Sequence, residues 1–417
     1  MLGGRRLWGH SDFLKLWAGQ TISVVGSQVT VLALPTIAIL QLHAAPVQVG
    51  LLAALQRLAF PVLALFAGVL VDRVRRRPLL IAADSVRALA ILSVPAVAAV
   101  GALTLLQLYG VALVLGIGTV VFDIAYLAYL PSLVGRRDLL EGNTKLEITF
   151  SVSGLAGPSL AGVLIQFFGA AQALLADAFS FVVSVASIVW IRQPERSPQD
   201  AGTRRAGVFA EIREGLRLVL HDPILRGLAL MLTVGGLGFH LQDPALYLFA
   251  YRNLGLSPGL LGLVFAAGGA GAVVGALVVG AVVRRLGVGN SLALTNIVLA
   301  LAFLAWPLAL RGPALPILAT SMFVAGIADS IYNISQVSLR QAVTPDRLQG
   351  RMTATLRTMF WGVWPLANLA GGVLAGAFGA PATIVIGSLI AMAATVIVLW
   401  GPLGRVRQHS EIAAAKG

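Results

Sequence analysis

The chain has 417 residues, 58% of them hydrophobic and only 11% charged, with a formal net charge of +13. A soluble domain carries about 25% charged residues, so this composition excludes a water-soluble fold. The absence of cysteine excludes disulfides, a thiolate nucleophile and cysteine-based metal sites. Nor does the positive balance point to nucleic acid, because the arginines recur in short loops between apolar runs instead of forming one stripe.

A bilayer core needs roughly 20 apolar residues per helix. Six runs of that kind fill the first half, near Leu16–Leu40, Val49–Val71, Leu79–Val100, Leu105–Leu130, Ile148–Phe168 and Ala171–Ile191. The polar lead Met1–Phe13 has no cleavage site after a short apolar core, so the first run is expected to be retained as a helix. On it Gln20, Ser23, Ser27 and Thr30 recur at spacings of three and four and form one polar stripe, with Gln28 off it. Arg57 is the deepest cation of the second run and needs a partner that the sequence does not name. Residues Gly68 to Arg77, GVLVDRVRRR, form a tight arginine-rich turn that must lie outside the lipid. Asp84 and Arg87 are three apart on the third run, so they share a face and can neutralise each other. Asp123 lies in the fourth run, and Asp177 in the sixth, with Ser180 and Ser184 on the following turns.

Gln193–Thr203, rich in Pro, Ser and Gly, reads as linker. In the following Val208–Leu220, Phe209, Ile212, Leu216 and Val219 recur at helical spacing, while Glu211, Arg213, Glu214 and Arg217 fill much of the rest. This predicts a short helix, either on the inner membrane surface or as a solvated connector. Six further runs lie near Ile224–Ala250, Leu260–Val283, Ser291–Leu310, Leu315–Leu339, Met359–Phe378 and Ala382–Trp400. In the first of these, Gly235, Gly236 and Gly238 precede His240, Gln242, Asp243 and Pro244. Pro244 removes a backbone hydrogen bond, and broken helices at membrane depth are tolerated where they line a cavity. Asp243 is therefore the leading candidate for proton coupling, with His240 beside it. The alternative is a kink residue satisfied near the outer surface. Phe360, Trp361 and Trp364 can stack against a bulky solute or serve core and lipid packing.

With the amino terminus inside, the inner loops hold the arginines of the 73–77 turn, Arg136, Arg137, Arg284, Arg285, Arg340, Arg347 and Arg351. The outer loops hold Arg252 and Arg311. This asymmetry places both termini in the cytoplasm of a multi-pass plasma-membrane protein. The halves also repeat. Phe122–Tyr126 aligns with Ala328–Tyr332, Asp138–Gly142 with Asp346–Gly350, and Gly162 and Gly169 with Gly372 and Gly379. The expected fold is an all-α membrane protein of about twelve transmembrane helices in two pseudo-symmetric six-helix bundles. Residues 1–192 and 223–417 are the bundles, and 193–222 is a cytoplasmic linker with its helix.

The motif Gly68-x-x-x-Asp72-Arg73-x-x-Arg76-Arg77 resembles the loop signature of the major facilitator superfamily, with Arg75 where a glycine is usual. The second-half counterpart from Gly280 keeps Arg284 and Arg285 but lacks the acid. Gly154-x-x-Gly157-Pro158-x-x-x-Gly162 resembles the Gly-Pro motif of proton-driven exporters. Asp84-x-x-Arg87 and the stretch from Tyr332 to Arg351 resemble the macrolide-efflux and enterobactin-exporter branch of drug:proton antiporters.

The resemblance implies a gate latch of Gly68, Asp72, Arg73 and Arg76, with Asp123 meeting the motif's arginine and Asp329, its repeat mate, facing Arg284 or Arg285. It also implies that helices 1, 4, 7 and 10 line the cavity, which makes Gln20, Ser23, Ser27, Thr30, Gln242, Asn333 and Gln336 the lining candidates. The arginine that a neighbouring exporter branch carries in helix 4 is absent here, so a relay built on it does not transfer. The function implied is secondary transport: proton-coupled efflux of a small amphiphilic drug or metabolite by alternating access. The alternatives are an importer or uniporter of a small metabolite, and a membrane-embedded receptor or enzyme that reuses the fold. The five histidines are scattered and no nucleophile–base set stands out, so no enzyme, cofactor or metal is expected. The expected partners are the solute, protons and the bilayer, with the chain acting as a monomer.

Overall fold

The computed structural model describes residues 7–135, 138–195, 208–345 and 348–405, and leaves the side chains of Leu65, Val69, Asp72, Leu140, residues 208–212, Pro402 and Arg405 undescribed. Arg136, Arg137, Asp346, Arg347 and most of the linker segment therefore lie outside the described residues, as does the Asp72 side chain. Among those described, the chain is helical throughout, with no strand. In chain order the helices are α1 (Ser11–Thr36), α2 (Pro46–Arg73), α3 (Arg76–Ala99), α4 (Leu105–Val134), α5 (Leu139–Phe168), α6 (Ala170–Val189), α7 (Val208–His221), α8 (Pro223–Leu248), α9 (Pro258–Leu286), α10 (Val288–Leu304), α11 (Ala314–Val343), α12 (Gln349–Phe378), α13 (Ala380–Ala393) and α14 (Thr395–Trp400).

Local chemistry sets several ends. His10, Thr104 and Asp222 accept backbone hydrogen bonds at the starts of α1, α4 and α8, and Pro223 adds its preset φ at the first position of α8. Gly169 and Gly379 both take φ +85°, a left-handed conformation that glycine reaches without strain. Each ends one helix and starts the next without a loop.

Eleven of the described helices are long and apolar enough to cross a membrane. The other expected span, Met359–Phe378, is the later part of α12, where Trp361, Trp364, Pro365 and Asn368 dilute the apolar run. Phe66, Leu106, Phe167, Leu277 and Trp400 are exposed, as suits faces whose solvent is lipid.

The molecule divides into two compact units. The first comprises the described residues within Met1–Ala44, Leu55–Thr203 and Ser257–Ala266, so it includes the start of α9. Its core gathers Leu7, Phe13, Leu16, Val71, Leu80, Phe122, Tyr126 and Tyr129. The second comprises those within Ala45–Ala54, Arg204–Leu256 and Ala267–Gly417, and includes the start of α2. Its core gathers Val219, Leu225, Leu228, Met231, Leu292, Leu339, Met352 and Leu356.

The repeat is visible in backbone detail. A π-helical turn closes α1 at Ile37–Gln41, and another closes α8 at Phe249–Asn253. In the first unit a Cβ on Gly162 would lie 2.9 Å from the Gly262 Cα, and in the second a Cβ on its mate Gly372 would lie 2.8 Å from the Gly50 Cα. Both glycines permit backbone-to-backbone approach of helices.

The described part of helix α7 packs on protein at Gly215 and Val219, while Leu216 is exposed. Val219 is fully buried in the second core. Gly215 lies against Thr355 and the Arg351 carbonyl, and Glu214 pairs with Arg351. The amphipathic period marked the helix, and of its apolar positions Val219 is the one seen buried against protein.

Candidate functional site

Asp243 and His240 sit one turn apart on α8, and their side chains meet. The His240 Nδ1 lies 2.8 Å from the Asp243 Oδ2. The indole of Trp364, on α12, donates to the same oxygen at 3.2 Å. The imidazole stacks on the Trp364 ring with centroids 3.8 Å apart and planes 25° apart, and it tilts against Phe360 at 5.7 Å. Phe360 fits because Gly236 has no side chain, and a Cβ there would lie 2.6 Å from the ring. The Asp243 side chain keeps 37% exposure and the His240 side chain 15%. One carboxylate oxygen is thus held by a ring nitrogen and an indole N–H, while the group remains open on one side.

Helix α8 runs unbroken through Pro244, so the expected break is absent. The proline still leaves the His240 carbonyl without its helical donor, and the backbone irregularity comes later, in the π turn.

Asp329 on α11 is exposed and is bonded within its own helix. Asn333 Nδ2 donates to the Asp329 Oδ1 at 2.9 Å. That local bond, one turn along, stands in place of the expected pairing with Arg284 or Arg285. The sequence reading offered packing as well as stacking for Trp364 and missed its bond to Asp243. The only signal was its place among aromatic residues of one helix, which says nothing of a partner on α8.

The other lining candidates separate by burial. Asn333 is exposed. Gln242 is fully buried and accepts from the Ser388 hydroxyl of α13 at 3.3 Å, and Gln336 is buried as well. On α1, Gln20, Ser23 and Thr30 are buried. Gly19 and Gly26 bring α1 close against α6, where Thr30 bonds to Asp177 and the Ser27 Oγ lies 3.4 Å from the Asp177 Oδ1. Two of the four stripe residues, Ser27 and Thr30, thus serve a helix–helix contact, because a buried carboxylate on α6 takes their hydroxyls.

The arginine turn is tied down by a residue that the sequence reading missed. Glu195 accepts from the backbone N–H groups of Arg76 and Arg77 at 2.6 and 3.1 Å, capping α3, and lies 3.8 Å from the Arg76 guanidinium. Arg77 donates to the carbonyls of Ile188 and Val189 at the end of α6. Glu195 is therefore a carboxylate set on Arg76 that the sequence reading did not include. Asp123 is exposed on α4, Arg73 is exposed, and Gly68 has open space around it. In the Gly-Pro motif, Gly157 admits the Gln28 side chain and Gly162 the start of α9, while Gly154 faces open space; Pro158 lies within α5, which continues through it.

A family model described as transmembrane secretion effector matches residues 8–416. The multidrug efflux pump Tap of Mycolicibacterium fortuitum is 27% identical over 386 residues, covering 90% of this chain and 92% of its own length. The enterobactin exporter EntS of Salmonella paratyphi A is 26% identical, covering 97% of this chain and 96% of its own length. Among solved structures, a bacterial homologue of the iron transporter ferroportin in an inward-facing state superposes with a TM-score of 0.72 at 17% identity. That match covers 93% of this chain and 98% of the other, and it bears on the fold alone.

Proposed function

The chain belongs to the transmembrane secretion effector family of major facilitator transporters, and from that premise we propose that it exports a small amphiphilic solute in exchange for protons by alternating access. It is a multi-pass membrane transporter rather than an enzyme, and its efflux-pump relatives are bacterial. The observation that carries the proposal is the group His240, Asp243 and Trp364. A carboxylate at membrane depth is costly to hold charged. An adjacent imidazole gives the pair a proton that either partner can carry. Exchange of that proton changes the charge presented beside the Trp364 and Phe360 rings, and aromatic faces distinguish cationic from neutral solutes. Inward movement of one positive charge down 100 mV supplies about 2.3 kcal/mol. The names of the two relatives, a multidrug pump and an enterobactin exporter, agree with outward transport of organic solutes. In this reading the chain works as a monomer in the plasma membrane with both termini in the cytoplasm.

Everted vesicles with an imposed proton gradient test it. Wild-type protein is expected to accumulate solute uphill and to release protons when solute is added. Asp243→Asn is expected to reduce uphill transport to background while leaving expression and downhill exchange in place. Full uphill transport by that variant would remove Asp243 from the coupling step.

A further inference from the structure

A second ionisable group lies in the first unit, away from the residues just described. Asp84, Arg87 and Asp177 are all buried, with 0%, 6% and 1% exposure. Arg87 pairs with Asp84, and its guanidinium lies 4.6 Å over the Phe122 ring and 4.5 Å over the Phe181 ring. Asp177 is near enough to feel Arg87 but is bonded to hydroxyls instead: Thr30 and Ser27 of α1 and, at 3.0 Å, Ser180 of its own helix. Other charged groups on the helices packed against α6 lie elsewhere. Asp12, Lys15, Arg76 and Arg77 gather at its far end, around Ile188 to Gln193, where Glu195 also sits. Glu141 and Lys145 pair with each other on α5, and Glu147 stands on the exposed side of that helix. The buried set therefore holds two carboxylates and one guanidinium.

The other repeat fills the same place without charge. The register that pairs the π turn at 37–41 with that at 249–253 also pairs Asp84 with Asn296 and Thr30 with Gln242. Asn296 donates to the Ala391 carbonyl at 2.8 Å and to Thr395 at 2.9 Å, and Gln242 meets Ser388. Helix packing at this place thus works with neutral groups alone. A buried charge in excess of its partner costs several kcal/mol, so the extra carboxylate is not explained by packing.

We infer that Asp177 is a proton-binding site of the amino-terminal bundle, which neutralises the excess charge of the Asp84–Arg87–Asp177 set and exchanges its proton through Ser27. Ser27 is the half-buried member of the hydroxyl group, while Thr30 and Ser180 are buried. A bound proton turns the carboxylate into a donor toward hydroxyls that otherwise donate to it. Loading and release thereby rearrange the bonds between α1 and α6. The site stands apart from Asp243, so each assignment can fail alone.

Infrared difference spectra of the full chain in liposomes, taken between alkaline and acidic buffers, read the site directly. Wild type is expected to show the carbonyl stretch of a protonated buried carboxyl. The band is expected to vanish in Asp177→Asn and to persist in Asp243→Asn. Thr30→Val, which removes one hydroxyl and keeps the shape, is expected to shift the band, so the test survives if Asp177→Asn fails to fold. A band unchanged in both Asp177→Asn and Thr30→Val would overturn the assignment. So would a signal that follows sodium at fixed pH, which would make the site one for a metal ion.

Discussion

Asp177 and Asp243 both lie on helices long and apolar enough to cross a membrane, yet their surroundings are opposites. Asp177 is enclosed by three hydroxyls from two helices of the first unit, whereas Asp243 faces an imidazole and an indole in the second and keeps a third of its surface open. Hydroxyls can donate or accept and so suit either state of a carboxyl, while an indole can only donate and favours the charged form. The same side chain is thus enclosed in one repeat and open on one side in the other. The repeated backbone does not carry this difference, because the π turns and the close-approach glycines match. It lies in the side chains, since the register of the π turns sets Asp243 opposite Val31 of α1 and not opposite Asp177 of α6.

The largest stability effect is expected from removing the cation of the closed set. Arg87→Met leaves Asp84 without its partner and should lower stability by about 3–5 kcal/mol, read as a fall in melting temperature of the purified protein. Asn296→Leu, at the repeat mate of Asp84 in the neutral set, should cost only about 1–2 kcal/mol, the worth of its hydrogen bonds and the groups left unpaired. Equal losses would mean that charge adds nothing special to the first unit. The glycine pair tests the symmetry of the packing. Gly162→Ala and Gly372→Ala each place a Cβ within 3 Å of backbone, and each should cost about 1–3 kcal/mol by overpacking. A large loss from one and none from the other would show that only one approach is tight.

Smaller still is Trp364→Phe. It keeps a ring beside His240 but removes the indole donor, so about 0.5–1.5 kcal/mol of the Asp243 interaction should go. That should appear as a loss of uphill transport smaller than that of Asp243→Asn, and unchanged transport would show that the indole bond is idle. The smallest effect is expected at the docked helix. Glu214→Gln breaks a partly exposed ion pair with Arg351 that is worth about 0–1 kcal/mol. High salt should erase the difference from wild type in melting temperature.

Sequence alone determined the solvent and the architecture. Twenty-residue apolar runs demand lipid, and in lipid a backbone must satisfy itself as helix. Order-preserving repeats then require two like bundles, and isolated Asp, His and Arg residues in apolar runs announce themselves by their cost. Tertiary structure alone decided what those residues face. The stripe on α1 was legible as a stripe, but whether it meets a cavity or the Asp177 carboxylate depends on the rotation of α1 against α6. The indole on Asp243, the Glu195 cap on the arginine turn and the surface beneath α7 each join positions more than a hundred residues apart. Spacing along one helix reports the face that a side chain shares, and only the packing of a second helix fixes the partner.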